Sequence, residues 1–276
     1  MRNYILKLFR ALPFFRGKFR IGKNIFKSFL GKSLPLTFVA HQGIKYTIPN
    51  TIENLGNELL INGVYEYHTV EFLKRQIKEG AIYFDIGANI GSLGLPILKA
   101  NNDVKYYGFE ASPFVYPYLK NNFKENIKIE YQLYNNVVHK DHGQTLKFYS
   151  EKKYGDSSLA SNTSNDYQLI KSISIDQFCI DNNIKYIDWI KIDVQGFEYF
   201  VLEGMSKYLA EKKIGNILFE FEAWAEKKAG LDIGIAKAFI QSLGYDLYNM
   251  RGKKWKDDIK GIDTMIWAKP SKEKLY

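Results

Sequence analysis

The stretch Phe84-Asp85-Ile86-Gly87-Ala88-Asn89-Ile90-Gly91 joins a hydrophobic strand to a glycine turn and the turn to the start of a helix. On either side of it the chain alternates. Short apolar runs at 81–86, 104–109, 127–133, 187–192 and 214–221 are separated by helix-like segments at 90–99, 113–124, 197–209 and 233–243. That rhythm predicts an α/β fold built from βαβ units, with a parallel sheet buried on both faces. A leading helix over 67–78 carries Val70, Leu73 and Ile77 on one face and stops at Gly80. After Gly244, segments 245–250, 254–260 and 263–268 predict a closing hairpin on one edge.

In an open α/β sheet the turn after a strand lies at its carboxyl end, where ligands bind. A dinucleotide fingerprint needs Gly-x-Gly-x-x-Gly, and Asn89 stands in place of the middle glycine, which lets the backbone approach a pyrophosphate. A carboxylate at Asp85 facing the cradle also repels phosphate but welcomes a cation. S-adenosylmethionine carries an ammonium and a sulfonium and no phosphate. Glu110 ends the second strand, placed to accept hydrogen bonds from two ribose hydroxyls. Plainer roles also exist: Gly87 and Gly91 as turn and packing glycines, and Glu110 as a helix N-terminal acid beside Ser112 and Pro113. A second cluster, Trp189 followed by Ile190-Lys191-Ile192-Asp193-Val194-Gln195-Gly196-Phe197-Glu198, again reads as strand, polar turn and helix start. Asp193 emerges beside the first turn, because the strand after a crossover returns next to strand one. It also suits a helix N-cap, and Glu198 suits a carboxylate of the first turn.

Three motifs, FDIGANIG from Phe84, GFEASP from Gly108 and KIDVQGFEYFVLEG from Lys191, closely resemble the FkbM family of S-adenosylmethionine-dependent methyltransferases. Tyr65-Glu66, ahead of the leading helix, fits as well, and the resemblance spans roughly residues 62–222. It implies a class I methyltransferase Rossmann-like fold, a seven-stranded mostly parallel sheet with an antiparallel edge hairpin, and methyl transfer to oxygen. By the same resemblance Asp85, Gly87, Ala88, Asn89 and Gly91 form the methionine and ribose side of the cofactor site, with Glu66 nearby. Glu110 holds the ribose, Ala111 and Ser112 adjoin the adenine, and the turn containing Val137 and Val138 meets it. Asp193 faces the reactive end of the cofactor. The family often has Asp-Val-Glu-Gly-x-Glu, whereas here the central acid is Gln195.

Methyl transfer chiefly needs the acceptor oxygen aligned with the methyl group, and a hydroxyl acceptor also has a proton to lose. Candidate bases are Asp193, His139, His142, Glu198 and Glu222, with Asp193 and His139 taken as catalytic. The polar stretch 150–172 predicts a lid, so Asp156, Ser157 and Ser158 join Gln195, Glu198 and Glu222 as acceptor-side candidates. No histidine pair or acidic cluster at ligand spacing suggests a metal. The expected activity is O-methylation of a hydroxyl on a glycan, such as a surface polysaccharide, or on a related secondary metabolite. Competing readings are a nucleotide-binding oxidoreductase or sugar-modifying enzyme on a similar sheet, and a non-enzymatic membrane-associated binding module.

The 276 residues are 46% hydrophobic and carry a formal charge of +9, which argues against intrinsic disorder and makes the placement of the charge informative. Ten bases and no acid precede Glu53; the remaining 224 residues hold 29 bases and 30 acids. The chain therefore divides into a basic arm, 1–52, and a near-neutral catalytic domain, 53–276, with no continuous basic surface for nucleic acid. Within the arm Ile5, Leu8, Phe9 and Leu12 repeat at helical spacing with Lys7 and Arg10 off that face, and Ile21, Ile25, Phe26 and Phe29 follow suit after Pro13 and Gly17. Two amphipathic helices result, suited either to an anionic membrane face or to packing on the body or a partner copy. Cys179 alone excludes an intramolecular disulfide, and together with the short apolar run at 11–15 points to a cytoplasmic protein.

Overall fold

The computed structural model describes residues 2–149, 167–256 and 264–271. The chain begins with helices α1 (Arg2–Ala11) and α2 (Lys18–Ile25), a hairpin of β1 (Leu36–Val39) and β2 (Lys45–Ile48), then α3 (Asn54–Asn62) and α4 (Tyr67–Gln76). The alternating section follows with β3 (Ile82–Ile86), α5 (Gly94–Ala100), β4 (Lys105–Phe109), α6 (Tyr116–Asn126) and β5 (Tyr131–Tyr134). An excursion of β6 (Val137–Val138), β7 (Thr145–Tyr149) and β8 (Tyr167–Ile173) comes next, closed by α7 (Ile175–Asp181). The last part holds β9 (Ile187–Ile192), α8 (Glu198–Glu203), α9 (Ser206–Ala210), β10 (Ile214–Glu220), α10 (Ala223–Lys228), α11 (Ile235–Ser242), β11 (Tyr245–Tyr248) and β12 (Met265–Pro270).

Seven strands form one sheet in the order β11-β12-β10-β9-β3-β4-β5. All neighbours are parallel except β12, which runs antiparallel to both β10 and β11. This is the α/β architecture expected, with a refinement at its end: β12 inserts between β10 and β11, so the hairpin's first strand is the edge. Of segment 254–260, Lys254 makes an isolated bridge to Tyr248, and 257–260 lie outside the described residues.

Period-2 alternation explains how the sheet is buried on both sides. Tyr83 and Trp189 join an apolar layer with α4, α5, α6 and the β1–β2 hairpin, while Phe84, Ile86, Ile190 and Ile192 join a second layer with α7, α8, α9 and α11. The arm's hairpin contributes Ile44, Tyr46 and Ile48 to the first layer. Asn122 and Asn126 of α6 bind the backbone of Thr47 and Lys45 at 2.8 to 3.1 Å, so β2 is tied to α6 through buried amides.

Several expected boundaries move. Helix 197–209 splits at Gly204, where an added Cβ would lie 2.4 Å from the His139 carbonyl oxygen, and the approach of that loop divides α8 from α9. Strand 127–133 shortens to β5 because Ile127 still donates to Phe123 at the end of α6. The polar stretch 150–172 is not all loop: its last six residues belong to β8, which pairs antiparallel with β7. Residues 150–166 lie outside the described residues.

The arm departs furthest from its sequence pattern. Arg10, expected off the packed face, is buried: its Nε donates to the Leu60 carbonyl at 2.6 Å, its Nη1 to Val39 at 2.9 Å, and its guanidinium lies over the Phe38 ring. Lys18 is fully buried and donates to the carbonyls of Arg10, Leu12 and Asn62. These oxygens end α1 and α3, where helix dipoles favour a cation. Burial pulls the Lys18 ammonium down to about 8, with help from the Arg10 charge.

Candidate active site

The glycine turn after β3 folds back on its own strand ends. Gly87 has φ 77°, and a Cβ there would meet the Asp193 carbonyl oxygen at 1.9 Å, so two strand ends meet where only glycine fits. The amides of Gly87 and Ala88 both donate to Phe109 at 2.9 Å, and that of Asn89 donates to Glu110 Oε2 at 2.8 Å. Ile90 donates to Asn89 Oδ1 and Gly91 to the Ala88 carbonyl. Every N–H from Gly87 to Gly91 is thus committed within the chain. A phosphate bound at such a turn relies on free amides, so the turn is chemically unsuited to one.

Beneath the turn sits a charged floor. Asp85 on β3 and Lys191 on β9 are Cα partners in adjacent parallel strands, so both side chains leave the same face. Lys191 Nζ donates to the Gly87 carbonyl at 2.9 Å and lies 3.6 Å from both Asp85 Oδ1 and Asp193 Oδ2. Burial lowers the affinity of Lys191 for its proton, but Asp193, Asp85, Glu66 and Glu220 outweigh it and the pKa rises. Asp85 is fully buried and takes a hydrogen bond from Tyr106 at 2.8 Å. Gly108, opposite Asp85 on β4, leaves the room through which the Tyr106 ring passes.

Above the floor lies a cavity of about 430 Å³, within the size of small-molecule sites. Its wall includes Gly87, Ala88, Asn89, Glu110, Ala111, Val137, Val138, Asp193 and Gln195 from the predicted set. Glu110 receives the Asn89 and Ser112 amides, one on each oxygen at 2.8 Å; burial nevertheless pushes its carboxyl up to about 7. Gln195, at φ 57°, donates from Nε2 to Asp193 Oδ1 at 3.1 Å and to Glu220 Oε2 at 3.3 Å. Burial, reinforced by Asp193, Glu222, Glu66 and Glu198, holds the Glu220 carboxyl well above its ordinary range. Glu66, the N-terminal neighbour of α4, is also raised by burial and by the Asp193 charge.

Other predicted residues fall elsewhere. Asp85 lies under the wall rather than in it, and Glu66, Gly91, Ser112, Glu198 and Glu222 are not part of the wall either: Gly91 and Ser112 bind the backbone and side chain of wall residues Ala88 and Glu110, while the charge of Asp193 acts on Glu66 and Glu222. Glu198 takes the Val194 amide at 2.9 Å and fixes the turn that carries Asp193 and Gln195. His139 is away from the cavity, stacked on Phe200 of α8 with Nδ1 3.4 Å from Asp141, and His142 takes the Ser174 amide. Asp156, Ser157 and Ser158 lie outside the described residues. Sequence reasoning missed Lys191, Glu220 and Phe148, the last brought to the wall by β7. Among the described residues no group of His, Cys, Asp and Glu side chains is arranged to hold a metal ion, and no helix is long and apolar enough to cross a membrane.

A family model described as the methyltransferase FkbM domain matches residues 85–247, more than half of the chain. No curated protein matches the chain. Among solved structures, a TehB-like SAM-dependent methyltransferase from Corynebacterium glutamicum is 16% identical with a TM-score of 0.44, over 78% of this chain and 93% of that one. The methyltransferase FkbM of Methylobacillus flagellatus is 16% identical with a TM-score of 0.46, over 77% of this chain and 52% of that one.

Proposed function

The chain belongs to the FkbM methyltransferase family, and on that premise we propose that it methylates a hydroxyl oxygen of a glycan or of a related secondary metabolite. The methyl donor is S-adenosylmethionine, which when bound supplies a methyl group on a sulfonium sulfur, activated for in-line displacement. The observation that best supports this cofactor at this site is the committed turn: with the amides from Gly87 to Gly91 all spent and carboxylates gathered around Lys191, the cavity is fitted to a cationic, phosphate-free ligand. A dinucleotide would find no free amides in this turn.

Within that assignment Gly87, Ala88 and Asn89 shape the wall against the cofactor, and Glu110 accepts the ribose hydroxyls. Ala111, Val137 and Val138 give the apolar wall for the base. Asp193 stands at the acceptor end, where it takes the hydroxyl proton, and Gln195 holds it in place through the 3.1 Å hydrogen bond. Phe148 and Phe197 add aromatic faces to the wall, suited to stacking on a sugar ring. Calorimetric titration with S-adenosylmethionine and separately with NAD tests the cofactor. Binding of the first alone supports the assignment, and binding of NAD alone overturns it. Transfer of labelled methyl to a panel of hydroxylated glycans, measured as incorporated label, tests the acceptor; label appearing on nitrogen-containing acceptors alone refutes O-methylation.

A further inference from the structure

Of the apolar stripe that helical spacing picks out in α1, Ile5, Leu8 and Leu12 are turned outward and Phe9 is turned in. Leu6, Phe9 and Arg10 face inward, and Leu6 packs with Phe26 and Leu60. On the opposite side Tyr4 is 65% exposed, Ile5 45%, Leu8 52% and Leu12 46%, one continuous stripe at i, i+1, i+4 and i+8. Phe15, between the helices, is exposed as well. In α2 the inward residues are Lys18, Gly22 and Phe26, and Ile21 and Ile25, one turn apart, face solvent. This orientation is locked by contact: a Cβ on Gly22 would meet Ile61 of α3 at 2.3 Å and Phe9 of α1 at 2.8 Å, and the three carbonyls bound by Lys18 join α1 to α3.

Exposed large apolar side chains are concentrated here. Of the 18 among the described residues, seven lie in the first 25 positions, which makes the arm a patch rather than a scatter. Charge follows the same outline. With Arg10 and Lys18 spent inside and Lys45 paired to Glu125, exposed Lys7, Arg16, Arg20, Lys23, Lys27 and Lys32 remain, with no acid before Glu53. A second copy of this chain docked through the same face would set these like charges against each other.

We propose that the outward face of α1 and α2 docks on an anionic lipid bilayer, its Tyr, Ile, Leu and Phe side chains entering the acyl boundary and its Lys and Arg side chains meeting the headgroups. The inference goes beyond methyl transfer and does not rest on the acceptor. Lys23 links the two, because it belongs to this arm and also lines the cavity, so docking holds the cavity next to the lipid surface.

The test is flotation of the full chain with vesicles of phosphatidylcholine alone and of equimolar phosphatidylcholine and phosphatidylglycerol. S-adenosylmethionine titration runs in parallel as a check on the body. Binding is expected to the anionic vesicles and to weaken as salt rises. Leu8→Asp and Leu12→Asp should each lower partitioning about tenfold, and Lys7→Glu, Arg16→Glu and Arg20→Glu at least about fivefold each, with cofactor affinity unchanged. None of these residues lies on the packed face, and circular dichroism checks that each variant folds. Wild-type protein that binds the cofactor but ignores anionic vesicles overturns the proposal. So does sedimentation equilibrium showing a dimer that Leu8→Asp dissolves, which would assign the face to a second copy.

Discussion

Replacing Gln195 by glutamate exchanges one nitrogen of the site for an oxygen and reverses its hydrogen-bonding logic. The amide nitrogen donates to Asp193 and to Glu220 at 3.1 and 3.3 Å; a glutamate carboxylate can donate to neither. Loss of a hydrogen bond to a charged partner costs about 1.5–3 kcal/mol and of one to a neutral partner about 0.5–1.5 kcal/mol. Glu220, raised by burial first and then by its acidic neighbours, is the neutral partner at pH 7 and can turn its own hydroxyl toward the new carboxylate, so only the bond to Asp193 is lost outright. Gln195→Glu therefore costs roughly 1.5–3 kcal/mol at neutral pH. The sign of the pH dependence follows from the new carboxyl, which recovers one hydrogen bond by taking a proton. Its folded pKa lies above its unfolded value, so the folded state binds more protons between the two. Stability is then fullest below the unfolded pKa near 4.3 and falls as pH rises to the folded one, by about 1.4 kcal/mol per unit of separation. Urea unfolding at pH 5 and pH 8 measures both terms against wild type. A penalty equal at the two pH values refutes the bridging role of Gln195, as does no penalty at all.

Gly87→Ala should abolish measurable S-adenosylmethionine binding and destabilise the protein by about 3 kcal/mol or more, because its Cβ collides with the Asp193 carbonyl at a φ of 77°; calorimetry and denaturant unfolding read the two effects. If ionised Glu110 accepts the ribose hydroxyls, its raised pKa of about 7 makes cofactor affinity fall about tenfold from pH 8 to pH 6, and Glu110→Gln should flatten that slope in the same titration. Lys18→Met leaves the carbonyls of Leu12 and Asn62 without this donor and should cost about 1–3 kcal/mol, with faster amide exchange in α1 and α2 and unchanged cofactor affinity.

The body of the fold was legible because its signals are local. Each strand of the parallel sheet is an apolar run ending in a polar turn, and β3 and β9 appear in sequence almost as they fold. The arm was legible in element type but not in orientation. Helical periodicity says which residues share a face; it is silent on which face meets the body. In α1 the choice went to Leu6 and Arg10, because the end of α3 offers unpaired carbonyls that Arg10 and Lys18 fill and a leucine cannot. The start of β8 was not legible for another reason. It follows a run rich in Ser, Asn, Asp and Thr, and the pairing of Tyr167–Ile173 depends on Thr145–Tyr149, distant in sequence.

At the candidate site the turns were read and the floor was missed, and register explains why. A search for chemistry in polar turns finds Gly87, Glu110, Asp193 and Gln195, each next to a glycine or a helix start. Lys191 sits inside a strand, between Ile190 and Ile192, where an isolated lysine reads as an oddity of a buried run. Its meaning appears once β9 is placed beside β3, because that register sets Lys191 opposite Asp85 and one step below Asp193. An ammonium buried there stays charged only because carboxylates surround it, and those carboxylates stay close together only because it lies between them. Removing one partner of such a group leaves the others uncompensated, at about 3–5 kcal/mol for a buried pair. Strand order therefore has a chemical consequence. Because β3 and β9 are neighbours, the acids of the turn can tolerate one another, and the same order sets the cavity above their joined strand ends.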